Sequence, residues 1–191
     1  MILVEIYTEE TPNPESLKFV TNHHLLPNDV AEFKSKESAA ESPLALMLFD
    51  LPYVKQVFLS QNFVTVTKVA EVEWYEITSG LREAIRQFLA SGKKAVTEAL
   101  WNRAQPVDPE APVADNPEAK IVNLLEKYVK PAVEGDGGHI SFRSFSDGVV
   151  SVVLQGSCSG CPSASITLKN GIEGLLKRMV PEVREVVAIE E

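Results

Sequence analysis

Ser146-Asp147-Gly148-Val149-Val150-Ser151-Val152-Val153-Leu154-Gln155-Gly156-Ser157-Cys158-Ser159-Gly160-Cys161-Pro162-Ser163 carries a turn, a strand, a cysteine loop and a helix start in one unbroken run. Asp147-Gly148 between the β-rich runs His139 to Phe145 and Val149 to Leu154 is a strong short-hairpin signal. After the cysteines, Pro162 suits the first turn of a helix. Leu168, Ile172, Leu175, Leu176 and Met179 recur at helical spacing, so the helix is expected from about Pro162 to Met179. Pro181 ends it, and Val183 to Ile189 reads as a closing strand. Upstream, Asn116-Pro117-Glu118 is a helix start, with Ile121, Leu124, Leu125 and Tyr128 as its apolar stripe and Pro131 just past its end. Glu134-Gly135-Asp136-Gly137-Gly138 is a turn. Residues 117–191 therefore read as an α-β-β-α-β domain.

Before that domain lies a change of composition. Between Ala104 and Pro117 the chain carries four of its twelve prolines and little to bury. Repeated proline favours extended backbone and a semi-rigid spacer, so residues 104–116 are expected to be a Pro-rich linker. Residues 1–103 form the other expected domain. Ile2 to Tyr7 and Leu17 to Val20 read as strands around the turn-forming Thr8 to Ser16. Ser42-Pro43 opens a helix running through Leu44, Leu46, Met47, Leu48 and Phe49. Val54 to Leu59 and Phe63 to Val69 form a hairpin. Glu73 to Ala90 is helical, with Trp74, Ile77, Leu81, Ile85, Phe88 and Leu89 on one stripe. The order β-β-α-β-β-α makes this half an α+β module too. The fold class is α+β, as two small mixed domains.

Bulk properties narrow the function. The net charge is −9, and no segment is basic: residues 1–100 carry −5, 101–116 carry −2 and 117–191 carry −2. Nucleic acid binding needs clustered Lys and Arg, so that partner is excluded. No apolar run approaches the roughly 20 residues of a membrane span. Met1 to Tyr7 has no basic n-region and reads as a strand rather than a signal peptide. A cytoplasmic protein, or a mature form already cleaved, is expected. Two cysteines are too few for a secreted disulfide framework.

Those two, Cys158 and Cys161, are the chain's main chemical feature. Two intervening residues let both sulfurs converge on one ion or one cluster face. A helix N-terminus after Cys161 offers unpaired N–H groups and a positive dipole end, both favouring thiolate. Gly156 and Gly160 allow a tight loop, and small serines keep it uncrowded. A zinc knuckle, a cluster site and a dithiol oxidoreductase all use this spacing. Two inert buried thiols fit poorly with a polar, Gly-rich loop. Against a redox dithiol, no aromatic precedes Cys158 and the domain is short of elements for a thioredoxin core.

Ligand count adds a constraint. Zinc and cubane clusters usually take four protein ligands. His23 and His24 fall in the other domain and read as surface residues. His139 is expected to serve the start of a strand, with help in positioning a cluster as the alternative. A second copy of the chain is the simplest source of two more sulfurs, placing the metal centre on a two-fold axis. Asp136 reads as turn chemistry. The Gly-rich turn lacks the Gly-Lys-Ser/Thr ending of a phosphate loop. No serine–histidine–acid arrangement stands out, and no enzyme activity is expected.

Asp136-Gly137-Gly138, the Asp147-Gly148 hairpin, Leu154 to Ser163 and Thr167-Leu168-Lys169-Asn170-Gly171-Ile172-Glu173 resemble the NifU C-terminal-like domain of Nfu iron–sulfur proteins. Thr11-Pro12-Asn13-Pro14-Glu15-Ser16-Leu17-Lys18-Phe19, Ser42-Pro43-Leu44-Ala45 and Phe63-Val64-Thr65-Val66-Thr67 are similar to the Nfu N-terminal domain. The resemblance covers nearly the whole chain except the linker. It implies a non-enzymatic carrier that binds a [4Fe-4S] cluster through the C-x-x-C of two protomers, as a homodimer when loaded. It further implies delivery to apo iron–sulfur proteins, with Cys158 and Cys161 as ligands, and partner recognition or tuning of assembly for the N-terminal domain. One position departs: the residue after Asp-Gly-Gly is usually acidic or amide in the family, and here it is His139.

Overall fold

The computed structural model describes residues 3–27, 29–103, 116–158 and 162–189. Residues 104–115 of the expected linker, Cys161, and Ile2 of the expected Ile2 to Tyr7 strand lie outside the described residues. The chain divides into two compact units, Met1–Val107 and Asp108–Glu191.

The first unit is an antiparallel five-stranded sheet with helices against one face. Its strands are β1 (Ile6–Glu10), β2 (Ser16–Thr21), β3 (Ala31–Phe33), β4 (Val54–Leu59) and β5 (Phe63–Lys68), ordered β1-β2-β5-β4-β3. Strand β1 lies further along the chain than the apolar run Ile2 to Tyr7 suggested. Pairing decides this: Ile6 faces Thr21 and Glu10 faces Leu17, so the strand runs right up to the Thr11-Pro12-Asn13-Pro14 turn. Polar residues are tolerated at a sheet edge, and Glu9 pairs across strands with Lys18 at 2.8 Å. The turn is closed by its own side chains. Thr11 donates its hydroxyl to the Asn13 and Ser16 carbonyls, and Asn13 Oδ1 accepts the Glu15 N–H at 3.0 Å.

Helix α1 (Pro43–Phe49) starts where expected: Ser42 accepts the Ala45 N–H, with Pro43 at the first position. Helix α2 (Trp74–Ala90) opens on a reciprocal capping box between Glu73 and Glu76. Ile77, Leu81, Ile85, Phe88 and Leu89 of α2 enter the core, with Phe19, Leu44, Leu48, Val57, Val64 and Val66 from α1 and the sheet. Trp74 is only partly buried and donates Nε1–H to the Pro14 carbonyl at 2.9 Å, joining α2 to the β1–β2 turn. Three elements were not expected from sequence: β3, the 3-10 turn Glu37–Glu41, and helix α3 (Glu98–Arg103).

The second unit has α4 (Pro117–Leu124), a π turn (Leu125–Val129) and α5 (Lys130–Gly135) in one continuous run. It continues with β6 (Gly138–Ser146), β7 (Val149–Gly156), α6 (Pro162–Met179) and β8 (Glu185–Ile189). Here the structure corrects three expectations. The helix does not stop before Pro131 but continues through it to Gly135. Proline inside a helix removes a hydrogen bond, and its ring collides with the carbonyl four residues back, here that of Lys127. The wider π turn sits at that carbonyl, and Lys130 N–H bonds to the Leu125 carbonyl instead. The extra residue in the turn also advances the buried stripe. Tyr128 is 54% exposed, while Val129 and Val133 join Ile121, Leu124 and Leu125 inside. In α6, Ile172 and Leu176 are buried as expected, but Met179 is 54% exposed because Val180 takes the core position.

Strands β6 and β7 form the expected hairpin. Asp147 and Gly148 both have positive φ, 52° and 81°, the conformation of a two-residue primed turn. An irregularity between Phe142 and Ser144 shifts the β6 register, so Phe142 and Phe145 both pack on the core face. Strand β8 runs parallel to β7, with α6 as the crossover between them. Strand β7 is thus central, and it ends at the cysteine loop.

Candidate functional site

Strand β7 and the turn before β6 build the site together. Gly138 pairs with Gly156 at the end of the ladder, placing the Asp136-Gly137-Gly138 turn beside the residues that leave β7. Gly137 and Gly156 have φ of 78° and 72°, left-handed backbone that glycine adopts without strain. Ser157 then reaches back to the turn twice. Its hydroxyl donates to the Asp136 carbonyl, and its N–H donates to the Gly137 carbonyl at 3.3 Å. Asp136 therefore serves the turn through its backbone, as its sequence context suggested.

Cys158 follows and is present as a thiol. It is 5% exposed and belongs to the core cluster with Ile140, Val152 and Leu154. A polar loop suggested an open sulfur; the structure holds it inside. Gly138 leaves room for it, since a Cβ there would stand 2.8 Å from Cys158 Sγ. Ser157 Oγ lies 3.8 Å from the same sulfur. Cys161 lies outside the described residues, and α6 begins at the next residue, Pro162.

Of the three histidines, only His139 belongs to the same unit as this sulfur. His139 pairs with Gln155 in the β6–β7 ladder. Side chains alternate along a strand, so His139 points to the face opposite Gly138 and Ile140, away from the thiol. Its Nδ1 is buried without a hydrogen-bond partner, 3.7 Å from Glu134 Oε1. His23 is half-buried with Nε2 3.4 Å from the Leu3 carbonyl, and His24 is exposed. Among the described residues no group of three or more His, Cys, Asp or Glu side chains could hold a metal ion, and no helix is long and apolar enough to cross a membrane.

Sequence reasoning missed two parts of this site: the packing of Gly138 on the thiol and the grip of Ser157 on Asp136 and Gly137. Spacing within a motif does not report a contact between segments far apart in the chain.

Helix α6 is braced from behind. Glu173 accepts the Val186 N–H at 3.1 Å and pairs with Lys177, fixing α6 to β8. The Lys177 hydrogen bond, and then that of Val186, holds the Glu173 carboxyl below its ordinary 4.5.

Comparison with known proteins agrees with this architecture. Residues 6–92 match the family model described as scaffold protein Nfu/NifU N terminal, and residues 121–187 match the NifU-like domain. The human protein named NFU1 iron-sulfur cluster scaffold homolog, mitochondrial, is 40% identical over 95% of this chain and 70% of its own length. The protein of the same name from Drosophila willistoni is 39% identical, over 95% of this chain and 62% of its own length. A NifU-like protein of Schizosaccharomyces pombe is 36% identical over 96% of this chain and 72% of its own length. The two matched models occur in the order of the two units, and the relatives align through both. The chain belongs to the Nfu/NifU family of iron–sulfur cluster scaffold proteins.

Proposed function

We propose that this scaffold is a carrier: two protomers hold one [4Fe-4S] cluster through Cys158 and Cys161 of each, and pass it intact to apo iron–sulfur proteins. The observation that supports this most is the position of Cys158. It follows the central strand of a NifU-like domain, on a loop gripped by the Asp136-Gly137-Gly138 turn and leading into the N-terminus of α6.

The chain's own residues supply three things. Cys158 and Cys161 provide two thiolates, half of the four that a cubane takes. The first turn of α6 supplies a positive dipole end beside the loop, which favours the charged form of the ligands. Ser157, held on the turn, fixes the backbone from which Cys158 projects. The cluster is cargo, so release is ligand exchange. Acceptor thiolates replace those of the carrier one for one, with no change in the oxidation state of iron or sulfide. No enzyme turnover is involved.

Residues 104–116 are proposed as the spacer between an N-terminal domain of residues 1–103 and a cluster-binding domain of residues 117–191. The N-terminal domain carries no ligand residues at useful spacing, and a role in recognising acceptors is proposed for it. The relatives' names place those proteins in mitochondria. For this chain a reducing compartment, the cytoplasm, is proposed because the ligands must stay reduced.

Anaerobic reconstitution with iron and sulfide tests the ligand assignment. Mössbauer spectroscopy with light scattering is expected to show about one cubane per two chains. A cluster bound stably by Cys158→Ser would remove Cys158 from the ligand set.

A further inference from the structure

Cys158 lies two residues past the end of β7, and it is buried. The hollow that encloses it is defined by a missing side chain. A Cβ on Gly138 would meet Cys158 Sγ at 2.8 Å, Cys158 Cβ at 3.3 Å and the Gln155 carbonyl at 2.8 Å. Real Cβ atoms essentially never come as close as the two 2.8 Å contacts, so any residue but glycine would displace the thiol or the end of β7. Ser157 closes another side: it is 1% exposed, with its Oγ 3.8 Å from the sulfur. Both of its bonds to the turn keep it there.

We infer that Gly138 is a positioning residue whose bare Cα makes a berth for the Cys158 thiol, storing the sulfur inside the domain until it leaves the berth to take a cluster. This rests on the reading of Cys158 as a ligand. A metal–sulfur bond is about 2.3 Å long, which leaves no room for protein atoms between sulfur and metal. A cubane shared with a second chain must also be reached from outside. A sulfur enclosed by Gly138, Ser157 and the core meets neither condition. Ligation therefore needs a local movement, beyond the anchored Ser157, that turns the sulfur outward. Storage shields one ligand of the unloaded carrier from oxidants and stray metals, while the grip of Ser157 keeps the loop ready.

The test uses the full chain with Cys161→Ser, which leaves Cys158 as the sole thiol. Alkylation by iodoacetamide is followed anaerobically by mass spectrometry, in buffer and in concentrated urea at one pH. In buffer Cys158 is expected to react about tenfold or more slowly than in the unfolded chain, as for any group that reacts only after local opening. Gly138→Ala is expected to raise the rate in buffer toward the unfolded value while circular dichroism shows a folded protein. Equal rates in buffer and urea would overturn the inference, and so would a folded Gly138→Ala with full protection. Should Gly138→Ala fail to fold, the Gly138 chain is followed through low urea instead. Local release predicts protection that erodes with a shallower slope than global unfolding, and protection lost only with global unfolding contradicts it. A protected thiol in a chain that assembles no cluster would instead count against the carrier reading alone, and cluster assembly without protection would remove the berth alone.

Discussion

Ser157 donates its hydroxyl to the Asp136 carbonyl, a bond between residues 21 positions apart that ties the cysteine loop to the turn before β6. Ser157→Ala removes that bond and leaves a carbonyl without it beside the core. The expected loss is about 1–2 kcal/mol, because the backbone bond to Gly137 remains. Urea unfolding of the second unit measures it, and an unchanged midpoint would show that the tie contributes nothing.

Two glycines in neighbouring elements should respond oppositely. Gly156 has φ of 72°, where a Cβ is strained, so Gly156→Ala is expected to cost about 1–2 kcal/mol. Gly171 is an exposed position inside α6, with nothing within 4 Å of a Cβ placed there. Gly171→Ala should stabilise by about 0.5–1 kcal/mol, by reducing the freedom of the unfolded chain. The same shift in both variants would contradict the backbone assignment.

The π turn makes a prediction about phase. Val133→Ala should cost about 2 kcal/mol through lost burial and a residual cavity, since Val133 is 1% exposed. Tyr128→Ala should stay within about 0.5 kcal/mol, as an exposed substitution. A regular α-helix ending before Pro131 would invert the order, so chemical denaturation of the pair distinguishes the two helices.

Glu173 couples α6 to β8 in a pH-dependent way. Lys177 and then the Val186 N–H favour its carboxylate, so its value in the folded chain lies below the ordinary 4.5. A depressed carboxyl contributes stability that is present above 4.5 and lost as pH falls through the lower folded value. Glu173→Gln is therefore expected to lower the melting temperature at neutral pH, and the gap from the parent chain should close in acid. A gap that stays constant into acid would assign the effect to shape rather than charge.

Much of the fold is legible because local signals and tertiary needs agree. Asp147-Gly148 can hardly be anything but a tight turn, and Ser42-Pro43 starts a helix by capping chemistry alone. Strand β3 is illegible because Ala31-Glu32-Phe33 is too short to show a period. The π turn is hidden as well: Pro131 marks a helix end by every local rule, and only the backbone around Lys127 shows how the helix passes it. At the site, sequence isolates the cysteine pair because no other thiols compete for the role. It cannot show that Gly138 packs on Cys158, since that contact depends on the β6–β7 register. Turn chemistry was the apparent role of the Gly-rich segment; shelter for a sulfur is the part that the folded chain adds.

Transfer tests the carrier reading most directly. The chain is reconstituted with iron and sulfide, separated from excess reagents and mixed anaerobically with apo-aconitase, while donor absorbance and aconitase activity are followed together. The account predicts that activity rises as donor absorbance falls, at about one cubane delivered per two chains. Activity that stays at baseline while the donor keeps its cluster would contradict it.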